Sequence, residues 1–366
     1  MERSLSVLIL LVLVCALFHT AAALPEFASR TGYKCQSCHV NPSGGMLRQI
    51  LGDQYGRESL PVPDWSAGFA TQELPEELRK VLGIGADFRT LYFSRRQTDS
   101  LRTGANLNAF WQMQGDLYLD FHPSKRVSFF LMKGLYTGFE AFGLLKILPA
   151  SGHIKIGKFL PNYGTRLDDH TAFVRTYTGF SPEQGRPELT GVETGISPGP
   201  FSLTAGLFNS TDGFGAAVGS SKAFLGRIEG MFDLGASLHL GLGGNFFSKK
   251  NDTGGRTVLL GGFGSFSYGA LTVLGETDLK RLPSTTGFLT FVQASILAMQ
   301  GLDVFLSYDF YDPDIDNKGG AFSRYSIGAS LFPYPGVEVH PVYRLNTEEP
   351  GSRTNTEFDV VFHIYI

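Results

Sequence analysis

The chain has 366 residues, 43% apolar and 13% aromatic, with 45 glycines and 31 phenylalanines. That mix fits neither a disordered chain nor an ordinary helical enzyme. A formal net charge of −3 gives no basic footprint, so a nucleic-acid partner has no electrostatic support and that class is set aside.

The N-terminus carries Arg3, an apolar run from Leu5 to Phe18, and then Ala21, Ala22 and Ala23 before Leu24 and Pro25. These are the three parts of a secretory signal, with cleavage expected after Ala23 and residues 1–23 removed. Cys15 lies inside the apolar run behind Val14 and is expected to leave with it. The run is short for a membrane span of about 20 residues, and no later stretch reaches that length, so no transmembrane helix is expected.

Residues 24–81 form a small first unit containing Cys35-Gln36-Ser37-Cys38-His39, the C-x-x-C-H pattern of c-type haem attachment. Two thiols at this spacing can each close a thioether onto a vinyl group of one porphyrin, and His39 then reaches the iron as proximal ligand. A structural disulfide and half of a zinc site compete with that reading. The exported chain has no second thiol pair, so four zinc ligands cannot be completed. Pro42-Ser43-Gly44-Gly45 breaks the chain after the motif, and a short helix is expected over 46–55. A unit of under about 60 residues has too little core to stand alone, so one haem c would supply much of its apolar centre.

No histidine occurs between His39 and His122, which leaves Met46 as the nearest candidate for a sixth ligand. In a continuous helix Met46 would stay on the face of His39, whereas the break at 42–45 lets the chain turn its thioether across the porphyrin. Packing beside Leu47, Ile50 and Leu51 is the alternative for Met46, and an open position or a lumen histidine such as His170 is the third possibility. Methionine ligation raises the potential, which suits accepting electrons from a weak reductant such as ferrous iron.

From 82 to 366 the texture changes to short runs of alternating apolar and polar residues, broken by Gly, Pro, Asn, Asp and Ser. Leu107, Ala109, Trp111, Met113, Leu117, Leu119 and Phe121 share one face, and Asn108, Gln112, Gln114, Asp116 and Asp120 the other. Likewise Leu302, Val304, Leu306, Tyr308 and Phe310 oppose Asp303, Ser307 and Asp309, and Val337, Val339 and Leu345 oppose Glu338, His340, Arg344 and Asn346. The pattern predicts sixteen strands, near 82–93, 107–121, 127–136, 138–148, 153–160, 188–197, 200–209, 222–232, 236–247, 255–267, 269–279, 287–299, 302–311, 321–332, 336–346 and 356–366. An even number of strands of roughly 9 to 11 residues is the signature of an outer-membrane barrel. The expected fold is all-β, a 16-stranded antiparallel outer-membrane β-barrel over 82–366, preceded by a mainly α or irregular monohaem cytochrome c segment.

Even-numbered connections read as short, as at 122–126 and 149–152, and odd-numbered ones as longer, as at 94–106 and 161–187. Only the third, around Thr137, is expected to break the alternation. This phase puts both ends of the barrel on the periplasmic side, so the haem segment would enter from there. The longest connection, 161–187, carries Tyr163, Arg166, Asp168, Asp169, His170, Arg175 and Tyr177 and is long enough to fold inward. Asp168-Asp169 and Asp312-Pro313-Asp314-Ile315-Asp316 are acidic residues of the outer loops that could hold a cation near the mouth, with solvated loop charge as the preferred reading. The second lacks the Gly and Glu of a calcium loop, having Asn317 and Ser323 in their places, and reads as solvated charge. The last strand, Phe358 to Ile366, is similar to the terminal insertion signal of such barrels but ends in Ile rather than Phe.

An export signal, Thr31-Gly32-Tyr33-Lys34-Cys35-Gln36-Ser37-Cys38-His39 and then a sixteen-strand barrel together resemble the fused monohaem cytochrome-porins, the family that includes outer-membrane iron oxidases. Residues 156–164 are also similar to segments of phosphate-selective-type porins. The resemblance implies electron transfer across the outer membrane, with Cys35 and Cys38 as attachment sites and His39 as proximal ligand. It implies as partners outer-membrane lipid, a periplasmic c-type cytochrome and an extracellular metal ion or mineral, and as activity either an iron:cytochrome oxidoreductase or a non-enzymatic carrier. A haem at the periplasmic rim could not bridge an apolar band about 25 Å tall, so the first unit is expected within the lumen. The alternative is a diffusion porin for small anions or other solutes, with the first unit as its plug.

Overall fold

The computed structural model describes residues 25–68, 75–96, 106–135, 138–181, 187–210, 221–235, 237–250, 254–349 and 353–366. The expected export signal lies outside them. Sixteen strands follow the first segment: β1 Leu82–Arg96, β2 Asn106–Ser124, β3 Val127–Gly134, β4 Phe139–Leu148, β5 Gly152–Phe159, β6 Leu189–Ile196, β7 Phe201–Asn209, β8 Lys222–Asp233, β9 Leu238–Lys250, β10 Arg256–Tyr268, β11 Leu271–Arg281, β12 Thr286–Met299, β13 Leu302–Asp312, β14 Phe322–Tyr334, β15 Val337–Glu348 and β16 Arg353–Tyr365. Each pairs with its sequence neighbours, and β1 pairs antiparallel with β16 to close the ring. Closure leaves no strand edge unpaired, which a backbone in hydrocarbon requires.

Alternation decides which side chains face out. On β13 and β14, Val304, Leu306, Tyr325 and Ile327 are exposed, whereas Asp303, Asp309, Arg324 and Ser326 are buried. The outer face is thus an apolar surface suited to lipid, and the polar face lines the lumen. Strand β3 alternates in burial although its residues are apolar on both sides. Phe129 and Leu131 point out, while Phe130 and Met132 point into the lumen. Sequence alone cannot tell those two faces apart.

Three expectations need correction. Met113, expected on the outward face, is buried and lines the lumen, because a bulge opposite Arg89 and Thr90 shifts the phase of β2 there. The helix expected over 46–55 spans Ile50–Glu58, because Leu47 and Arg48 are held extended by a bridge back to His39 and Val40. The long odd-numbered connections are fewer than expected. Strands β11 and β12 run to Arg281 and from Thr286, and β15 and β16 run to Glu348 and from Arg353, so only four residues link each pair.

Candidate functional site

The first segment lies inside the ring, at the end formed by the short turns. The helix Pro25–Thr31 is fixed by Arg30, 2.7 Å from Asp303 on β13, and by Glu26, which accepts from Ser295 on β12 at 2.5 Å. Lys34 then donates to the carbonyls of Gly199 and Phe201, 2.8 Å each, at the β6–β7 turn. Further on, Gln300 donates to the carbonyls of Glu58 and Pro61, and the Val62 amide donates to the Phe332 carbonyl.

Between these anchors the motif forms one helical turn, Cys35–Cys38, with both thiols free. Burial pushes the Cys35 thiol up to about 11. The helix Ile50–Glu58 presses on this turn, and a Cβ at Gly52 would meet the Cys38 carbonyl at 2.3 Å, so only glycine fits there. After His39 the chain doubles back, with Val40 bonded to Leu47 and Gln49 to Cys38. Gly44 and Gly45, at φ +86° and +75°, make the turn, and Met46 follows at φ +62°. A left-handed methionine is locally strained and is held by its surroundings.

The tip of this hairpin is keyed to the wall by a buried ion pair. Lys155 on β5 lies 2.7 Å from Glu193 on β6, both fully enclosed. Lys155 also donates to Ser43 at 3.0 Å and Asn41 at 3.3 Å, and Ser43 donates to Glu193 at 3.2 Å. Val40 and Leu47 pack with Tyr118, Phe130, Phe142 and Phe159 of the lumen wall.

From the other end residues 161–181 of the long connection fold inward, as expected. Tyr163 donates to Asp278 at 2.5 Å, Asp168 meets Arg89 at 2.7 Å, Asp169 meets Arg344 at 3.1 Å, and the Phe173 amide donates to Asp309 at 2.7 Å. Arg166 reaches the hairpin itself and donates to the Gly44 carbonyl at 3.2 Å. The segment and the connection therefore meet in mid-lumen.

A cavity of about 260 Å³ remains between them. His39 and Met46 both border it, with His170, His340 and His363. His39 is buried, and its Nδ1 has no hydrogen-bond partner. Burial and then the neighbouring Arg48 push the imidazole down to about 3, against the carbonyls of Met46 and Gly45, so the ring is neutral at pH 7. Neutral imidazole is the form that binds a metal. Cys35 borders a second, smaller cavity of about 90 Å³, and Cys38 borders neither. The two spaces share Pro25, Arg166 and Leu274 as walls, so thiol and imidazole flank one region of the lumen. Free thiols on one helical turn, an imidazole with an orphaned ring nitrogen and an adjoining thioether form a donor set that suits a c-type haem.

Asp87, Arg89, Glu338, His340 and His363 also line the larger cavity, and sequence reasoning named none of them as site residues. The available signal was their place on the polar faces of β1, β15 and β16. Which of them meet depends on the register across the closing seam, and alternation does not encode that.

A scan against protein-family models and a search of curated proteins found no match. Solved structures do match. An anion-selective porin from Comamonas acidovorans superposes with a TM-score of 0.55 at 10% identity, covering 78% of this chain and 99% of that one. OprB of Pseudomonas putida gives 0.59 at 9% identity, covering 84% and 99%. OmpT of Vibrio cholerae gives 0.54 at 10% identity, covering 78% and 97%. At such identities the likeness is one of fold, and the chain is a closed sixteen-stranded barrel of the kind seen in outer-membrane porins.

Proposed function

We propose that this chain is an outer-membrane barrel whose lumen segment carries one haem c and passes electrons between an extracellular donor, ferrous iron among the candidates, and a periplasmic c-type cytochrome. The observation that carries this reading is the position of the C-x-x-C-H turn. It is anchored inside the barrel, and His39, whose Nδ1 has no hydrogen-bond partner, borders a cavity. In this reading Cys35 and Cys38 would hold the porphyrin covalently, His39 would be the proximal iron ligand, and Met46 would supply a second iron ligand. The bound group would supply one-electron transfer at a potential set by its axial ligands. The chain's own contribution is to exclude water with the aromatic wall, fix the hairpin through Lys155 and Glu193, and keep His39 unprotonated.

The test is the visible spectrum of the purified, detergent-solubilised protein from a host competent in cytochrome c maturation. Soret absorbance that survives denaturation and organic extraction, and is lost in Cys35→Ala, Cys38→Ala, is the expected result. A protein free of haem would overturn the reading. The porin likeness favours a second reading, a diffusion porin with a plug, and conductance of the double-alanine variant equal to wild type in planar bilayers would support it. The larger cavity is bordered by ten carboxylates against five guanidiniums, so such a pore would prefer cations to the anions expected from sequence.

A further inference from the structure

We propose that Asp168, Glu338 and His363 form a binding site for a divalent transition-metal cation in the lumen. One ligand atom from each lies within 4.8 Å of the others. With metal–ligand bonds of about 2.0–2.2 Å, such atoms can close around a single ion with little movement.

The barrel register builds the site. Glu338 stands directly opposite His363 across β15–β16, His363 opposite Arg89 across β16–β1, and Asp87 opposite Asp116 across β1–β2. Asp168 is brought down onto this row by the inward connection. The imidazole lies between two carboxylates, Nδ1 3.0 Å from Glu338 and Nε2 2.9 Å from Asp87. Nε2 makes no hydrogen bond despite that approach, which leaves a buried ring nitrogen available as a ligand.

A second observation points the same way. Asp116 is 5% exposed and lines the same cavity, and its Oδ1 has no hydrogen-bond partner. Like charges directly opposite in an antiparallel pair repel, and while Asp87 faces His363 at 2.9 Å, Asp116 is met by the neutral Gln114 amide at 2.6 Å. Arg89 answers only part of this, because it lies 2.7 Å from Asp168 and 3.5 Å from Asp87. Four carboxylates thus face one guanidinium and two imidazoles, His363 and His340, the latter 3.6 Å from Glu338. Mixed imidazole and carboxylate ligation selects Mn²⁺, Fe²⁺ or Zn²⁺ over Mg²⁺ and Ca²⁺, which prefer oxygen alone. The cluster shares its cavity with His39, so a reducing cation held here would lie beside the C-x-x-C-H segment.

The site stands on these residues whether or not the chain carries haem, so its test is separate from the one above. Purified full-length protein in detergent is titrated with Mn²⁺ under anaerobic conditions, and free Mn²⁺ is read by room-temperature electron paramagnetic resonance. One saturable equivalent is expected, displaced by Zn²⁺ or Fe²⁺ but not by a hundredfold excess of Mg²⁺. Glu338→Gln and His363→Gln should each weaken binding at least tenfold, and Asp314→Asn at the outer mouth should leave it unchanged. If either wall variant misfolds by circular dichroism, Asp168→Asn replaces it, since that residue lies on the connection and not on a strand. Absent saturable binding, binding untouched by the variants, or binding lost in Asp314→Asn would overturn the proposal and leave a structural ion-pair network. Mn²⁺ binding retained in a protein without haem would keep this inference while removing the electron-transfer reading.

Discussion

Two arcs of the barrel wall face the lumen with opposite chemistry. On one, Tyr118, Phe130, Phe142, Phe159 and Phe208 follow one another around the ring with centroids 5.0 to 6.3 Å apart. On the other, Asp309, Arg324, Arg344, Asp359, Glu338, His363, Asp87 and Arg89 pass from β13 to β1. An aromatic arc inside a water-filled channel would forfeit the free energy of burying large rings, so it signals a wall that is covered. Val40 and Leu47 of the hairpin cover it. The charged arc is covered instead by the acidic tip of the 161–187 connection, through Asp168 and Asp169. Each insert is matched to its own arc, which argues that both belong to the resting lumen.

The sharpest way to break the aromatic side is at the buried Lys155–Glu193 ion pair. Lys155→Met leaves Glu193 enclosed without its partner, and such a loss costs about 3–5 kcal/mol. The hairpin should unseat, seen as tryptic cleavage after Arg48 or Arg57 under conditions that spare the wild type. Cleavage unchanged from wild type would mean that the pair does not key the segment.

On the charged side the corresponding change is Asp169→Asn. Burial opposes ionisation of Asp169, but Arg344 and Arg324 outweigh it and hold the carboxyl well below the usual range. A carboxylate depressed in the folded state stabilises at every pH above its unfolded value near 4, and loses that contribution only as pH falls through the folded value. The connection should therefore stay docked from pH 7 down to about 4, and bilayer conductance should be flat over that range. Asp169→Asn removes a charge-assisted contact of about 1.5–3 kcal/mol and should raise conductance already at pH 7. A wild-type channel that opens between pH 6 and 5 would contradict this.

The smallest effect is expected where neither arc is involved. Arg57 and Asp53 form a 2.7 Å pair in the helix Ile50–Glu58, with their side chains 28% and 45% exposed. Asp53→Ala should change stability by no more than about 0.5 kcal/mol in urea unfolding. A larger shift would mean that this helix is held by charge and not by its contact with the motif.

Much of this molecule was legible in the sequence because a strand period of two survives where one face is lipid and the other polar. Val304 and Asp303 could be assigned to opposite faces without a structure, and so could Leu306 and Asp309. On the aromatic arc the same logic fails, since Phe129 and Phe130 differ in environment and not in chemistry. Met113 failed for another reason, a bulge that no composition signal marks. At the site, spacing singled out Cys35, Cys38 and His39, and the turn glycines suggested that the chain reverses near Met46. The meeting of Glu338 with His363 was not legible, because residues in separate strands become neighbours only through a register fixed by ring closure.

The seam between β1 and β16 has a temporal meaning as well. Ala86 exchanges both backbone hydrogen bonds with Ile366, just past β16, so the ring is shut only after all sixteen strands have been delivered. The segment with the two thiols is upstream of every strand and ends up enclosed by all of them. Any group joined to Cys35 and Cys38 must therefore be installed on an open precursor, and assembly of the barrel then acts as the step that seals it in.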